Sequence, residues 1–190
     1  MRSPCLTLLV LIIAACGQGP EAADEASSDQ PEWAGPAEEQ PTGRLDRSFA
    51  GRAAPAAAFE DPDGEPASLA EFAGRPLLLN LWATWCAPCV AEMPTLDSLA
   101  TREADRLKVL TVSQDLDGRE KVEQFFRKRG YRRLETYLDP QMALMAELKV
   151  NTLPTTILYD SSGREVWRVT GVEDWESGRA ATLIREAFAG

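Results

Sequence analysis

The chain has 190 residues, 30 acidic against 20 basic, no histidine, and a formal net charge of −10. That balance argues against a nucleic-acid partner, because phosphate binding needs clustered positive charge. The lack of histidine removes the commonest metal-ligating side chain, and the only cysteines besides Cys86 and Cys89 are Cys5 and Cys16 near the N-terminus, which argues against a single-chain structural zinc site with its four ligands.

In chain order, Met1-Arg2-Ser3-Pro4 followed by the apolar run Leu6 to Ala15 has the form of a charged n-region and a short h-region. The run is too short to span a bilayer as a helix. Its end, Ile13-Ala14-Ala15-Cys16-Gly17, resembles a bacterial lipobox, with Ile13 in place of the more usual leucine. The resemblance implies a signal peptide over 1–15, lipid on Cys16, and a location in the cell envelope, facing the periplasm or extracytoplasmic space. On that reading Cys5 leaves with the signal, Cys16 carries lipid, and Cys86 and Cys89 remain as one pair.

Residues 16–50 are expected to be an acidic flexible tether. From Gly17 to Arg47 the stretch is rich in Glu, Asp, Ala, Pro, Gly and Ser, with little apolar surface to offset its ordering entropy. Residues 51–190 are then of a size for one domain with one core.

Within that domain, Phe59-Glu60, the Asp63-Gly64 turn and a short return strand predict a β-hairpin. Ser68 with Glu71 three residues on forms a capping box for a short helix that Gly74 stops. The nearly unbroken apolar run Leu77 to Trp82 predicts a central strand covered on both faces. After Cys89, helical spacing continues through Val90, Met93, Leu96 and Leu99, with Pro94 expected to kink the helix.

Leu107 to Val112 reads as the next strand and Arg119 to Arg129 as an amphipathic helix burying Val122, Phe125 and Phe126. The cations from Arg127 to Arg133 fit a helix C-terminus, where they complement its dipole, or a docking patch for an acidic partner or lipid headgroup. A short strand over 136–138 and a helix from Pro140 to Leu148 follow. Thr155 to Tyr159 and Glu165 to Thr170 form a hairpin, and Trp175 to Ala189 reads as a closing helix. The alternation makes an α/β fold with a mixed central sheet flanked by helices, preceded by a β-hairpin extension.

The chemistry concentrates in Trp85-Cys86-Ala87-Pro88-Cys89. Two thiols at this spacing suit disulfide exchange: one thiolate attacks a disulfide sulfur, and the second resolves the mixed disulfide. A helix beginning at Cys86 would stabilise its thiolate by unpaired N–H groups and the helix dipole, and would shield Cys89 one turn in. Covalent haem attachment would need histidine at Val90. A purely structural disulfide stays open, although a loop this short constrains little chain entropy.

Leu79-Asn80-Leu81-Trp82-Ala83-Thr84-Trp85-Cys86-Ala87-Pro88-Cys89 with Glu92-Met93-Pro94, and Val150 to Asp160 with Gly163, resemble exported TlpA/ResA-type thiol–disulfide oxidoreductases of the thioredoxin superfamily. The likeness runs over about 56–188. It implies a thioredoxin fold, no cofactor, and monomeric action on the dithiols and disulfides of exported proteins, apocytochrome c thiols included. It also implies an upstream membrane electron donor. Cys86 would be the nucleophile and Cys89 the resolving thiol, with Trp85 on the docking surface. Pro154 would be a cis-proline facing the cysteines, and Leu153 would pair with substrate through its main chain. Asn80 stands where cytoplasmic thioredoxins carry a buried aspartate, and Glu92 matches a glutamate that similar exported reductases place near the active site, so Glu92 would handle protons.

Two other functions stay open. A thiol peroxidase would need threonine at Ala83, and Thr84 is one place late. A non-catalytic metal- or protein-binding thioredoxin-like module would use the pair only structurally, although related copper proteins add a histidine that is missing here.

Overall fold

A computed structural model describes residues 43–188, so the expected signal peptide, Cys16 and most of the expected tether lie outside the described residues. The sheet contains β1 (Arg44–Asp46), β2 (Phe59–Glu60), β3 (Pro66–Ala67), β4 (Leu77–Trp82), β5 (Lys108–Ser113), β6 (Tyr137–Leu138), β7 (Thr155–Tyr159) and β8 (Glu165–Thr170). Its helices are α1 (Ala87–Arg102), α2 (Arg119–Arg129), α3 (Ala143–Leu148) and α4 (Gly178–Arg185). The strands lie in the order β1-β8-β7-β4-β5-β6-β2-β3. β4, β5 and β6 run parallel, whereas β7 is antiparallel to both β4 and β8.

β4 is buried along its whole length because both of its faces are covered. Leu78 and Trp82 point into a core shared with Met93, Leu96 and Leu99 of α1, Val122 of α2 and Ile184 of α4. Leu77, Leu79 and Leu81 face the opposite layer, with Leu110, Ile157, Phe59 and Leu144 of α3. The period of two along the strand thus assigns alternate residues to the two layers. Pro94 lies inside α1, which continues to Arg102.

The predicted hairpin at 59–67 and the capping box are present: the Glu71 carboxylate accepts from Ser68 N at 2.6 Å, heading a single 3₁₀ turn over Leu69–Phe72. The cations of 127–133 do sit at the end of α2, which Gly130 terminates in the left-handed conformation. Arg127 pairs with Glu123, and the Arg129 guanidinium stacks on Phe125.

Three boundaries need correction. Arg44–Asp46, expected in the tether, is a strand paired with Thr170 to Arg168, so the ordered domain begins before residue 51. The segment stays along β8: Gly51 N donates to Glu165 O at 2.7 Å and Ala54 N to Gly163 O at 2.9 Å. Main-chain pairing makes this strand, which its acidic, nearly leucine-free composition does not advertise. The helix expected from Pro140 starts instead at Ala143, because the Asp139 carboxylate accepts from Ala143 N and Leu144 N, both at 2.9 Å. The last helix starts at Gly178 rather than Trp175, because Ser177 Oγ caps it by accepting from Ala180 N at 3.0 Å. Trp175 is instead buried ahead of it.

Candidate active site

The site forms where the parallel strands end. Leu81 of β4 pairs with Thr155 of β7, so the chain leaving β4 and the chain arriving at β7 meet at one end of the sheet. The first carries Trp85 to Cys89 and the second carries Leu153 and Pro154.

The loop into the motif is anchored by a buried acid. The Asp115 carboxylate accepts from Thr84 N at 2.8 Å, Thr84 Oγ1 at 2.5 Å and Ser113 Oγ at 2.7 Å. Thr84 is thereby committed to positioning the loop. Cys86 is the N-cap of α1, and its Sγ accepts from Cys89 N at 3.3 Å. The two cysteines form a disulfide, with Cα atoms 5.2 Å apart. Cys89 is fully buried and Cys86 is 6% exposed, whereas Trp85 beside it is 64% exposed. A partner therefore reaches the pair at Cys86, alongside an open indole face.

The Leu153–Pro154 peptide bond is cis. Leu153 packs against the core cluster that contains Cys86 and Cys89. The Pro154 carbonyl accepts from Gly171 N at 2.9 Å, and Thr155 Oγ1 donates to Thr152 O at 2.7 Å. Among the described residues no hydrogen bond occupies the Leu153 main chain.

Glu92 departs from the solvated helix-face acid that its charge suggests. It is 2% exposed, one turn beyond Cys89. One carboxyl oxygen, Oε1, accepts from Asn80 Nδ2 at 2.7 Å, and Asn80 also donates to Thr156 Oγ1 at 2.9 Å. The other, Oε2, accepts from Glu173 N at 3.1 Å. Burial pushes its pKa up from the ordinary 4.5 to about 8, against the Asn80 hydrogen bond and the Trp175 indole, which favour the charged form. A carboxyl so placed holds or yields a proton near neutral pH.

This shift sets a pH dependence of stability. Between the ordinary 4.5 and about 8 the folded chain holds a proton on Glu92 that the unfolded chain has lost. Folding is therefore favoured most at the acid end, and the contribution, of the order of a few kcal/mol, is lost as pH rises through about 8. Denaturant titrations across that range should show wild-type stability falling with pH and Glu92→Gln flattening the decline. Parallel curves for the two proteins would contradict the assignment.

The family model described as Redoxin matches residues 49–184. The chain belongs to the Redoxin family. Among curated relatives, this redoxin is 34% identical over 131 residues to the thiol:disulfide interchange protein DsbE of Vibrio cholerae, covering 67% of this chain and 68% of that protein. It is 29% identical over 126 residues to the thiol-disulfide oxidoreductase ResA of Bacillus cereus, covering 66% and 72%. The crystal structure of the exposed lipoprotein thioredoxin Etrx1 from Streptococcus pneumoniae matches with a TM-score of 0.60 and 24% identity, over 68% of this chain and 98% of that one. This redoxin accordingly has the thioredoxin fold and is a thiol–disulfide oxidoreductase of the ResA/DsbE type, with Cys86 and Cys89 as its disulfide-forming pair.

The redoxin brings together every site residue expected from sequence among those described: Trp85, Cys86, Cys89, Glu92, Leu153 and Pro154 all belong to this end of the fold. Sequence reading passed over Asp115 and Glu173. Asp115 carried no motif, and Glu173 reaches Glu92 from 81 residues away.

Proposed function

We propose that the protein is a membrane-tethered reductase of disulfides in exported proteins, apocytochrome c among its clients. The observation that carries this reading is a disulfide at a helix start, reachable only at Cys86, with a neighbouring main-chain segment at Leu153 free to take an added strand.

In the reduced protein, the Cys86 thiolate attacks one sulfur of the client disulfide and displaces the other as a thiolate, which takes up a proton. Glu92 in its ionised form takes the proton of Cys89, whose thiolate attacks Cys86 Sγ. The second client thiol leaves, two electrons have passed to the client, and the Cys86–Cys89 disulfide remains for a membrane donor to reduce. Trp85 gives the client chain an apolar face beside the sulfur.

The tether rests on the N-terminal sequence that ends at Cys16. Acyl chains there would hold the enzyme at the extracytoplasmic membrane surface. No helix among the described residues is long and apolar enough to cross a membrane.

Two experiments in the native host test the reading. Radiolabelled palmitate should enter the wild-type protein and not Cys16→Ala. Cys89→Ala should accumulate mixed disulfides with exported clients through Cys86, visible on non-reducing gels and absent from the Cys86→Ala/Cys89→Ala double variant. Lack of any adduct under conditions where the variant is folded and exported would count against client reduction.

A further inference from the structure

We propose that Arg179 is a positioning residue for the Glu92 carboxyl, fixing the segment at 171–173 by binding Glu173 together with Gly43 of the N-terminal arm, the stretch that runs through β1 and along β8 to Ala54. This inference rests on the proton-handling reading of Glu92 and adds the residues that set it.

The two oxygens of Glu92 have one donor each, and the two donors are held very differently. Asn80 stands in the middle of β4, the strand at the centre of the sheet, where its position is fixed by ladder pairing on both sides. The Glu173 amide belongs to the irregular segment between β8 and α4. Nothing in that segment's own secondary structure fixes where the N–H points.

Contacts from outside supply the order. Arg179 Nη1 pairs with the Glu173 carboxylate, which is 1% exposed, and Arg179 Nη2 donates to the Gly43 carbonyl at 2.8 Å. Gly43 N in turn donates to Val172 O at 2.6 Å. The approach is close enough that a Cβ on Gly43 would lie 2.8 Å from the Gly171 carbonyl oxygen. One guanidinium, with its donors in a planar fork, therefore joins the N-terminal arm to the residue whose amide meets Glu92. The segment is also tied to the cis-proline loop, through Gly171 N and Pro154 O.

The sign of the effect follows. Without Arg179 the buried Glu173 carboxylate loses its counter-ion, and the amide on the same residue loses its fixed direction. An uncompensated negative charge and a weakened hydrogen bond both disfavour the ionised form of Glu92. The other groups around the carboxyl do not offset this. Asn80 from β4 is neutral, and the Trp175 indole favours the charged form without reaching hydrogen-bond geometry. The thiols of Cys86 and Cys89 lie on its own helix and are locked in the disulfide. Among the described residues Glu92 takes part in no ion pair.

The test reads Glu92 itself. Full-length oxidised protein labelled with ¹³C at the glutamate carboxyls is titrated by NMR, the Glu92 resonance being the one that vanishes in Glu92→Gln. Arg179→Met should raise the proton affinity of Glu92 roughly tenfold. Arg179→Lys, a point charge unable to hold Glu173 and Gly43 at once, should give a smaller rise in the same direction. A Glu92 titration unchanged in folded Arg179→Met overturns the proposal, and if that variant does not fold, an unchanged titration in Arg179→Lys does so. The pH–rate profile of insulin reduction separates the underlying reading: a profile identical in wild type and Glu92→Gln would remove the acid from catalysis whatever Arg179 does to its titration.

Discussion

Replacing Cys86 with alanine should reduce the rate of insulin reduction to the uncatalysed level. The remaining thiol, Cys89, is fully buried beneath the first turn of α1 and cannot substitute as the attacking group. Its environment is that of a resolving thiol: it meets Cys86 Sγ and core side chains, not solvent. The change should not be a stability effect, because Cys86 supplies one cap contact and closes a loop of only four residues. The assay is insulin turbidity with dithiothreitol as reductant, with thermal melts of the two reduced proteins beside it. Substantial turnover by a folded Cys86→Ala protein would mean that Cys89 reaches solvent, and the division of roles would fall with it.

A second large effect is expected in β8. Arg168 and Glu165 are both buried, at 5% and 3% exposure, and form a bidentate pair with N–O distances of 2.6 and 2.7 Å. Arg168 also donates to Leu148 O at 2.9 Å, and its guanidinium carbon sits 3.7 Å from the Phe49 ring centre. Arg168→Met leaves Glu165 as a buried charge without a partner, at a cost of about 3–5 kcal/mol. In a domain of this size that should lower Tm by about 10 °C. The Arg168→Met/Glu165→Met double variant removes the orphaned charge as well, and should recover much of the loss. Guanidinium melts of the three proteins decide the matter; a single variant as stable as wild type would show that the pair is exchanged for solvent at no cost. The ring of Phe49 belongs to the N-terminal arm, so loss of Arg168 should also free the arm to proteolysis near residue 50.

The same arm marks where sequence reading stopped. Leu77 to Trp82, Arg119 to Arg129 and the 155–170 hairpin were legible from their apolar patterns, although of the three α2 residues expected inside only Val122 is buried, Phe125 and Phe126 being half-buried against the core. β1 has one apolar residue, Leu45, between Arg44 and Asp46; it is a strand only because β8 offers an edge, and that edge is formed by residues more than 120 positions away. Composition therefore assigned it to the tether.

At the site, the thiols and the proline could be read from their motifs. The burial of Glu92 was legible too, because Cys89, Glu92, Leu96 and Leu99 occupy one stripe of α1, at offsets of three, seven and ten. Spacing is here a better guide to burial than charge. The partners of that carboxyl had no such signal: Asn80, Glu173, Arg179 and Gly43 are joined only by the closing of the fold. The start of the last helix was also legible from Ser177, a good capping residue, had Trp175 not been given to the helix for its size.

The sheet order carries a consequence for how the protein avoids pairing with other chains. Both of its outermost strands are short: β1, in the N-terminal arm, is three residues long, and β3, from the 59–67 hairpin at the other margin, is two residues long and begins with Pro66. Strands so short, one of them lacking an amide hydrogen, give a second molecule little to pair with. Between them lie β8 and β6, which would otherwise present open ladders to any neighbouring chain. The N-terminal arm and the 59–67 hairpin thus close the two margins of the sheet against cross-β association.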